Sequence, residues 1–364
     1  MSSTDEILKQ ERVYAGVERW SNGGFKGKNI VVWNTEGAGR HSDIVTRRIK
    51  DSAPECKIIE AGFEMSYDNE KMFYNHVYYE GIKFSIEEFI VKFNVNIITR
   101  SIGGGTKVGG TASIFWNDLK YKYNIAFFNS AGNDGPEGCG GSLPPDVANY
   151  IAACSLVNGK PKRALYSAIG SEVDFCNFVG VWSGTSFAAP YTAGEAALIK
   201  QRYGNLSHEE IYKYLIMISE DMEINGKDNN TGYGIPILPE LGRKYITMST
   251  NSNEYCVDGN IKTMDTKPVN LNGNVFVPVR AISESLGADV KWEPISRTVL
   301  INDIISLQIG NKEAFVGDKK VTLNYAPFID KNNRTLVPIR FIAEALNCKV
   351  DWVQNESKVM ILEK

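Results

Sequence analysis

The chain contains no apolar run near the roughly 18 residues that a membrane span needs, and residues 1–12 are polar and charged. No signal peptide or anchor is visible, so the expectation is a chain made in the cytoplasm; a mature secreted or particle-associated form would read the same. Close cysteine pairs are missing too. Cys56, Cys139, Cys154, Cys176, Cys256 and Cys348 stand singly, which excludes metal knuckles and dithiol motifs and points to buried free thiols. Histidine is scarce, with none beyond His208. Charge of one sign is not in excess: 40 basic and 43 acidic side chains leave a formal charge of −3. Such a chain has no global field to hold nucleic acid or an acidic membrane surface. What is present is the mix of a soluble globular protein, 43% hydrophobic and 23% charged over 364 residues. That length predicts two domains, or three.

Between positions 29 and 241 short apolar runs alternate with amphipathic stretches, the pattern of strand-helix units that build a mostly parallel sheet. The spacing predicts strands at 29–33, 57–60, 97–101, 125–129 and 150–154. It predicts helices at 42–50, 85–93, 111–122, 186–203 and 208–219, the last capped by Ser207 with Glu210 three residues on. After about 243 the texture turns β-rich and repeats. Val277-Pro278-Val279-Arg280 recurs as Val337-Pro338-Ile339-Arg340, and Val290-Lys291-Trp292 as Val350-Asp351-Trp352, each sixty residues on. Each copy reads as a hairpin, a helix, a short strand with tryptophan and a final strand. The repeated tryptophan and arginine read as packing and its orienting partner. The predicted organisation is a short extension at 1–13, an α/β domain at 14–243 and a smaller α+β domain of two repeats at 244–364.

The densest chemical signal is Ser183-Gly184-Thr185-Ser186-Phe187-Ala188-Ala189-Pro190. Small residues around a serine at a helix start suit a nucleophile, because the helix terminus favours developing negative charge and glycine admits substrate backbone. Taken alone, the same string also reads as a helix cap. Upstream, Asn129-Ser130-Ala131-Gly132-Asn133 ends an apolar strand in a tight turn, where the Asn133 amide suits an oxyanion or simply closes the turn. Arg100-Ser101-Ile102-Gly103-Gly104 ends another strand with bare backbone free to pair with an extended peptide. Asn34 closes a third strand and His41 opens a helix, so all these groups fall at strand ends, where open α/β sheets bind ligands.

In order, spacing and flanks, residues 14–241 resemble a subtilisin-like serine protease, a family with a three-layer α/β fold and a mostly parallel central sheet. The resemblance rests on 24–32, His41-Ser42-Asp43-Ile44-Val45, Ser101-Ile102-Gly103-Gly104, Ala131-Gly132-Asn133, Gly184-Thr185-Ser186 with Ala188 and Pro190, and Thr231-Gly232-Tyr233-Gly234. It implies a serine endopeptidase in which Ser186 attacks the scissile carbonyl, His41 carries the proton and Asn133 holds the oxyanion. Ser101, Ile102, Gly103 and Gly104 would bind a polypeptide substrate.

The acid departs from the family pattern, because Asn34 stands where the family has aspartate. Loss of that aspartate costs roughly 3 × 10⁴ in turnover, about 6 kcal/mol of barrier. Glu36 is the candidate substitute. Two readings follow: a weakened endopeptidase, or a silent pseudoprotease whose cleft binds a peptide or partner. If the remaining geometry is intact, Asn34→Asp is expected to raise hydrolysis by orders of magnitude, and no gain would count against that intact geometry. The loop from Asn34 to His41 is short for the family, so no metal site and no cofactor are expected. The extension at 4–12 reads as a helix that either covers the cleft or packs as an arm. The C-terminal repeats resemble the copper amine oxidase N-terminal-like, or stalk, domain. Without histidine a copper site there is unsupported, and the resemblance implies attachment to a cell wall, surface or phage-like particle.

Overall fold

The computed structural model describes residues 3–63, 65–68, 71–74, 76–102, 111–204 and 206–364. They form two compact units, 1–241 and 242–364. Among the described residues no helix is long and apolar enough to cross a membrane.

The first unit opens with two helices, α1 (Ser3–Tyr14) and α2 (Val17–Asn22). Then come β1 (Val31–Asn34), α3 (Arg40–Ser52) and β2 (Lys57–Glu60). Two small hairpins follow, β3 (Met65–Asp68) with β4 (Lys71–Tyr74) and β5 (Val77–Tyr79) with β6 (Ile82–Phe84). The remaining elements are α4 (Ile86–Phe93), β7 (Ile97–Arg100), α5 (Thr111–Tyr123), β8 (Ala126–Ser130), β9 (Asn149–Val157), β10 (Lys160–Arg163), β11 (Val173–Phe178), α6 (Ala188–Tyr203), α7 (His208–Ile218), β12 (Ser219–Glu220) and β13 (Ile235–Pro236). The main sheet has the order β10-β9-β8-β7-β1-β2, with β11 also paired to β9. Every pairing in it is parallel except β9 with the short β10. Strands β1, β7 and β8 are buried along their whole length, which is why they read as continuous apolar runs instead of alternating ones.

Helix α6 is the spine of this unit. It is buried on nearly all sides and touches β1, β7, β8, β9 and β11, as expected of a helix without a polar face. Its serine is not inside it: Thr185–Phe187 form a 3-10 turn and the α-helix starts at Ala188, two residues later than the spacing predicts. Pro190 sits in the first turn, where no intrahelical amide bond is lost. Gly194 is where α3 meets α6: a Cβ there would lie 1.9 Å from Ser52 Oγ and 2.8 Å from the Ile49 carbonyl. Only glycine lets α3, which carries His41, approach α6 this closely.

Next to Gly194 on α6, Glu195 is fully buried, held by Asn177 Nδ2 at 2.7 Å. Burial pushes its carboxyl up to about 8, against the opposing pull of Asn177 and the Arg48 charge. A carboxyl raised in the folded state favours folding below its unfolded value and loses that contribution as pH rises through its folded value. Relative to Glu195→Gln, the parent protein is therefore expected to lose more than about 1 kcal/mol of stability between pH 5 and 9. Urea unfolding of both at those two pH values checks this, and parallel profiles would refute it.

The second unit comprises β14 (Tyr245–Ser249), β15 (Glu254–Val257), β16 (Asn260–Thr263), β17 (Val269–Leu271), β18 (Asn274–Pro278), α8 (Val279–Ser285), β19 (Val290–Glu293) and β20 (Thr298–Ile301). Its second half repeats them as β21 (Ile305–Gln308), β22 (Glu313–Val316), β23 (Lys319–Thr322), β24 (Phe328–Ile329), β25 (Thr335–Pro338), α9 (Ile339–Ala345), β26 (Cys348–Val353) and β27 (Lys358–Glu363). The copies are interlocked instead of being set side by side. One five-stranded sheet runs β16-β15-β14-β27-β26 and the other β19-β20-β21-β22-β23, so each takes three strands from one repeat and two from the other. Val277 pairs with Val337, its own counterpart sixty residues on, which puts a local two-fold axis between β18 and β25. The first strand, β14, closes against the last, β27.

The repeated arginines and Trp292 do not pack as the sequence pattern suggests. Arg280 and Arg340 are largely exposed and pair one turn along with Glu284 and Glu344. Trp352 packs on the core, whereas Trp292 is 38% exposed. Both tryptophans lie on edge strands, β26 and β19, so repetition of the residue does not secure its burial.

Candidate active site

The candidate residues converge at the carboxyl ends of β1, β7 and β8 and at the start of α6. Glu36 lies on the turn after β1, and His41 in the first turn of α3. His41 Nδ1 is 3.0 Å from Glu36 Oε2. The carboxylate is nearly covered, at 6% exposure, while the imidazole is 47% exposed. The other carboxylate oxygen, Oε1, accepts the Ser101 backbone N–H at 2.7 Å. Phe187 backs the imidazole, ring centre to ring centre 5.6 Å.

Among the described residues no hydrogen bond joins Asn34 to His41. Its Nδ2 donates to Ser42 Oγ at 3.0 Å, Thr46 Oγ1 at 3.1 Å and the Ser42 carbonyl at 3.3 Å, and its Oδ1 accepts the Glu36 backbone N–H at 3.2 Å. Ser42 and Thr46 in turn donate to the two oxygens of Glu60. The amide is thus a fully buried clamp joining the end of β1 to α3. The amide so held bears directly on the expectation for Asn34→Asp. Aspartate there has no proton to donate to Ser42 or Thr46 and adds a second carboxylate beside the hydroxyls that serve Glu60.

Ser186 Oγ donates to the Ser101 carbonyl at 2.9 Å, and Ser101 Oγ donates back to the Ser186 carbonyl at 2.8 Å. This reciprocal pair ties the Ser186 turn to the end of β7. Asn133 Oδ1 accepts both the Thr185 N–H, at 2.9 Å, and Thr185 Oγ1, at 3.1 Å. Because a backbone N–H can only donate, the amide oxygen must face Thr185, which turns the Asn133 NH₂ group outward from an exposed position. Gly184, at φ 136°, lines the same spot, 3.7 Å from Asn133 Nδ2 to where its Cβ would be. Ile102 is 38% exposed, and its carbonyl accepts Ser142 Oγ at 2.9 Å. Gly103 and Gly104 lie outside the described residues.

Sequence reasoning missed Arg100. Burial pushes its guanidinium down to about 10, opposed by the Glu36 charge, so it remains a cation at neutral pH. It contacts Ser142 Oγ at 2.5 Å, Thr35 Oγ1 at 3.4 Å and the Phe63 ring at 4.6 Å. A charged residue ending the apolar run Ile97-Ile98-Thr99 was the available signal. The extension read as a helix at 4–12 is helix α1, whose packing the sequence left open between the cleft and an arm. It buries Leu8 and Glu11, and Glu11 bonds the Gly180 N–H and Arg48.

The subtilase family model matches residues 30–234, more than half of the chain. The chain belongs to the subtilase family. A second model, described as the copper amine oxidase N-terminal domain, matches residues 235–301 and 256–361, in keeping with the doubled β-rich unit. Among curated relatives, subtilisin NAT of Bacillus subtilis subsp. natto is 30% identical over 138 residues, 34% of this chain and 35% of the relative. Subtilisin DY of Bacillus licheniformis is 30% identical over 137 residues, 34% of this chain and 49% of the relative. The chain thus spans a third to a half of the length of the subtilisins it matches. Among solved structures, a lanthipeptide protease aligns at 16% identity and TM-score 0.47, covering 64% of this chain and 95% of that one. Fervidolysin from Fervidobacterium pennivorans, a keratinolytic enzyme related to subtilisin, aligns at 16% identity and TM-score 0.46 over 74% of this chain and 54% of its own.

Proposed function

We propose that this subtilase is a serine endopeptidase whose triad is Ser186, His41 and Glu36, with Asn133 as oxyanion donor. The observation that carries the reading is the 3.0 Å contact between His41 Nδ1 and a covered Glu36 carboxylate, set beside the serine turn that is anchored to Asn133. Glu36 holds the imidazole with its proton on Nδ1, which leaves Nε2 free to accept the Ser186 proton, and it stabilises the imidazolium that follows. Ser186 leaves the Ser101 carbonyl and attacks the peptide carbonyl. The negative charge that develops on oxygen is met by the outward NH₂ of Asn133. The imidazolium then protonates the leaving amine, and water repeats the sequence on the acyl-enzyme.

The substrate is an extended polypeptide lying beside Ser101 and Ile102, where strand β7 runs out. The alternative of a silent cleft rested on Asn34, and with Glu36 against the imidazole it loses that support.

The test is labelling with a fluorophosphonate probe, which reports an activated serine without requiring knowledge of the substrate. The unaltered chain is expected to label, and Ser186→Ala to abolish the signal. A folded parent that remains unlabelled would overturn the proposal.

A further inference from the structure

We propose that the cavity beside Trp292 in the second unit is a binding site for a neutral saccharide. The cavity measures 510 Å³, within the roughly 300–1,000 Å³ typical of small-molecule sites. Its apolar lining includes the buried Tyr255, Met264 and Val299, and Trp292 stands at its side, 38% exposed.

The two repeats provide an internal comparison. Trp352, the counterpart of Trp292, packs on the core and gives its indole N–H to Gln354 at 2.8 Å. The residue matching Gln354 in the first repeat is Pro294, which has no side-chain acceptor, and among the described residues nothing accepts the Trp292 N–H. Lys291 beside it corresponds to Asp351. A tryptophan needed only for packing would be treated alike in both copies. Here one copy keeps it on the core and the other presents it to a cavity.

The polar wall selects the ligand class. Each cation on it already has an acid: Arg334 bonds Asp265 at 2.6 Å, Lys291 bonds Asp303 at 2.7 Å, and Arg280 pairs with Glu284 at 3.4 Å. The wall therefore offers donors and acceptors side by side without a free positive charge, and an anionic ligand would have to displace a carboxylate to gain a partner. A neutral sugar matches both features. Its hydroxyls donate and accept at once, and its C–H face lies flat on an indole whose own N–H needs an acceptor.

The experiment uses the full-length chain in calorimetric or NMR titrations with tri-N-acetylchitotriose, cellotriose and triglutamate. At least one sugar is expected to bind saturably with a Kd below about 5 mM, and triglutamate not to bind. Trp292→Ala, at an exposed position, should weaken that sugar at least tenfold, while Ser186→Ala leaves it unchanged. Asp265→Asn, which frees Arg334, should also weaken the sugar. Absence of saturable binding by both sugars, binding unaffected by Trp292→Ala, or binding of triglutamate alone would each overturn the proposal.

Discussion

Glu36→Gln is expected to lower kcat/KM on a peptide substrate, and the fluorophosphonate labelling rate, by about 10³ to 10⁴. Glutamine keeps the length of the side chain and one oxygen, so the bond from the Ser101 N–H at 2.7 Å survives and the local fold is retained. What changes is the group facing His41 Nδ1. An amide NH₂ there donates, which forces Nδ1 to accept and moves the ring proton to Nε2, the nitrogen that must take the Ser186 proton. The charge that stabilises the imidazolium is lost as well. Asn34→Asp, measured alongside, should raise neither rate, because residue 34 is clamped to Ser42 and Thr46. A fall of less than tenfold in Glu36→Gln, or a gain above a hundredfold in Asn34→Asp, would return the acid role to position 34 and sink the proposed triad.

Arg48→Met is expected to destabilise the protein by about 3 to 5 kcal/mol in urea unfolding. Arg48 is fully buried on α3, and it bonds Glu11 of α1 at 3.3 Å, Asp51 at 2.9 Å and the carbonyls of Phe178 and Phe187 at 2.8 and 3.4 Å. One guanidinium thus serves two carboxylates and two carbonyls, with Arg48 and Glu11 fully buried and Asp51 at the edge. Burial has already pushed the Glu11 carboxyl up to about 7 despite the Arg48 charge. Methionine fills the volume but removes the donor facing Glu11 Oε2, leaving Glu11 only the Gly180 N–H at 3.1 Å, and takes one donor from each carbonyl, and a buried acceptor that loses its partner costs desolvation. The double variant Arg48→Met with Glu11→Gln should recover a large part of the loss, because the orphaned charge goes with its partner. The Phe187 carbonyl follows the nucleophile directly, so the single variant should also slow fluorophosphonate labelling. A stability change under 1 kcal/mol would mean that the network contributes little to the fold.

The architecture of the first unit was legible because buried parallel strands leave an unmistakable trace. The runs at 97–101 and 125–129 correspond to β7 and β8 within a residue or two, and the Ser207-Glu210 capping box is present as written. Boundaries slipped where a turn competes with a helix. At 186 the sequence has helix formers, but the 3-10 turn is held by the Thr185 N–H reaching Asn133, a bond between residues fifty positions apart. In the second unit the repeat was plain and its interlocking was not. Two hairpin-rich copies carry the same alternation of side chains whether each sheet is built from one copy or shared between both. The choice rests on pairings such as β14 with β27, more than a hundred residues apart.

The sequence by itself determined the strand-helix alternation, the place of Ser186 and His41 at helix starts and of Asn133 on the turn after a strand, and the doubling of the C-terminal region. Those follow from periodicity and from turn and cap residues, which act over a few positions. Only the tertiary structure decided which of Asn34 and Glu36 meets the imidazole, how Arg48 joins α1 to α3, and which of two matching tryptophans is left open. Asn34 and Glu36 are two residues apart, and the backbone turns between them. The neighbours that make one a clamp and the other a partner for His41 come from α3, β2 and the end of β7, so burial and distance settle what local spacing leaves equal.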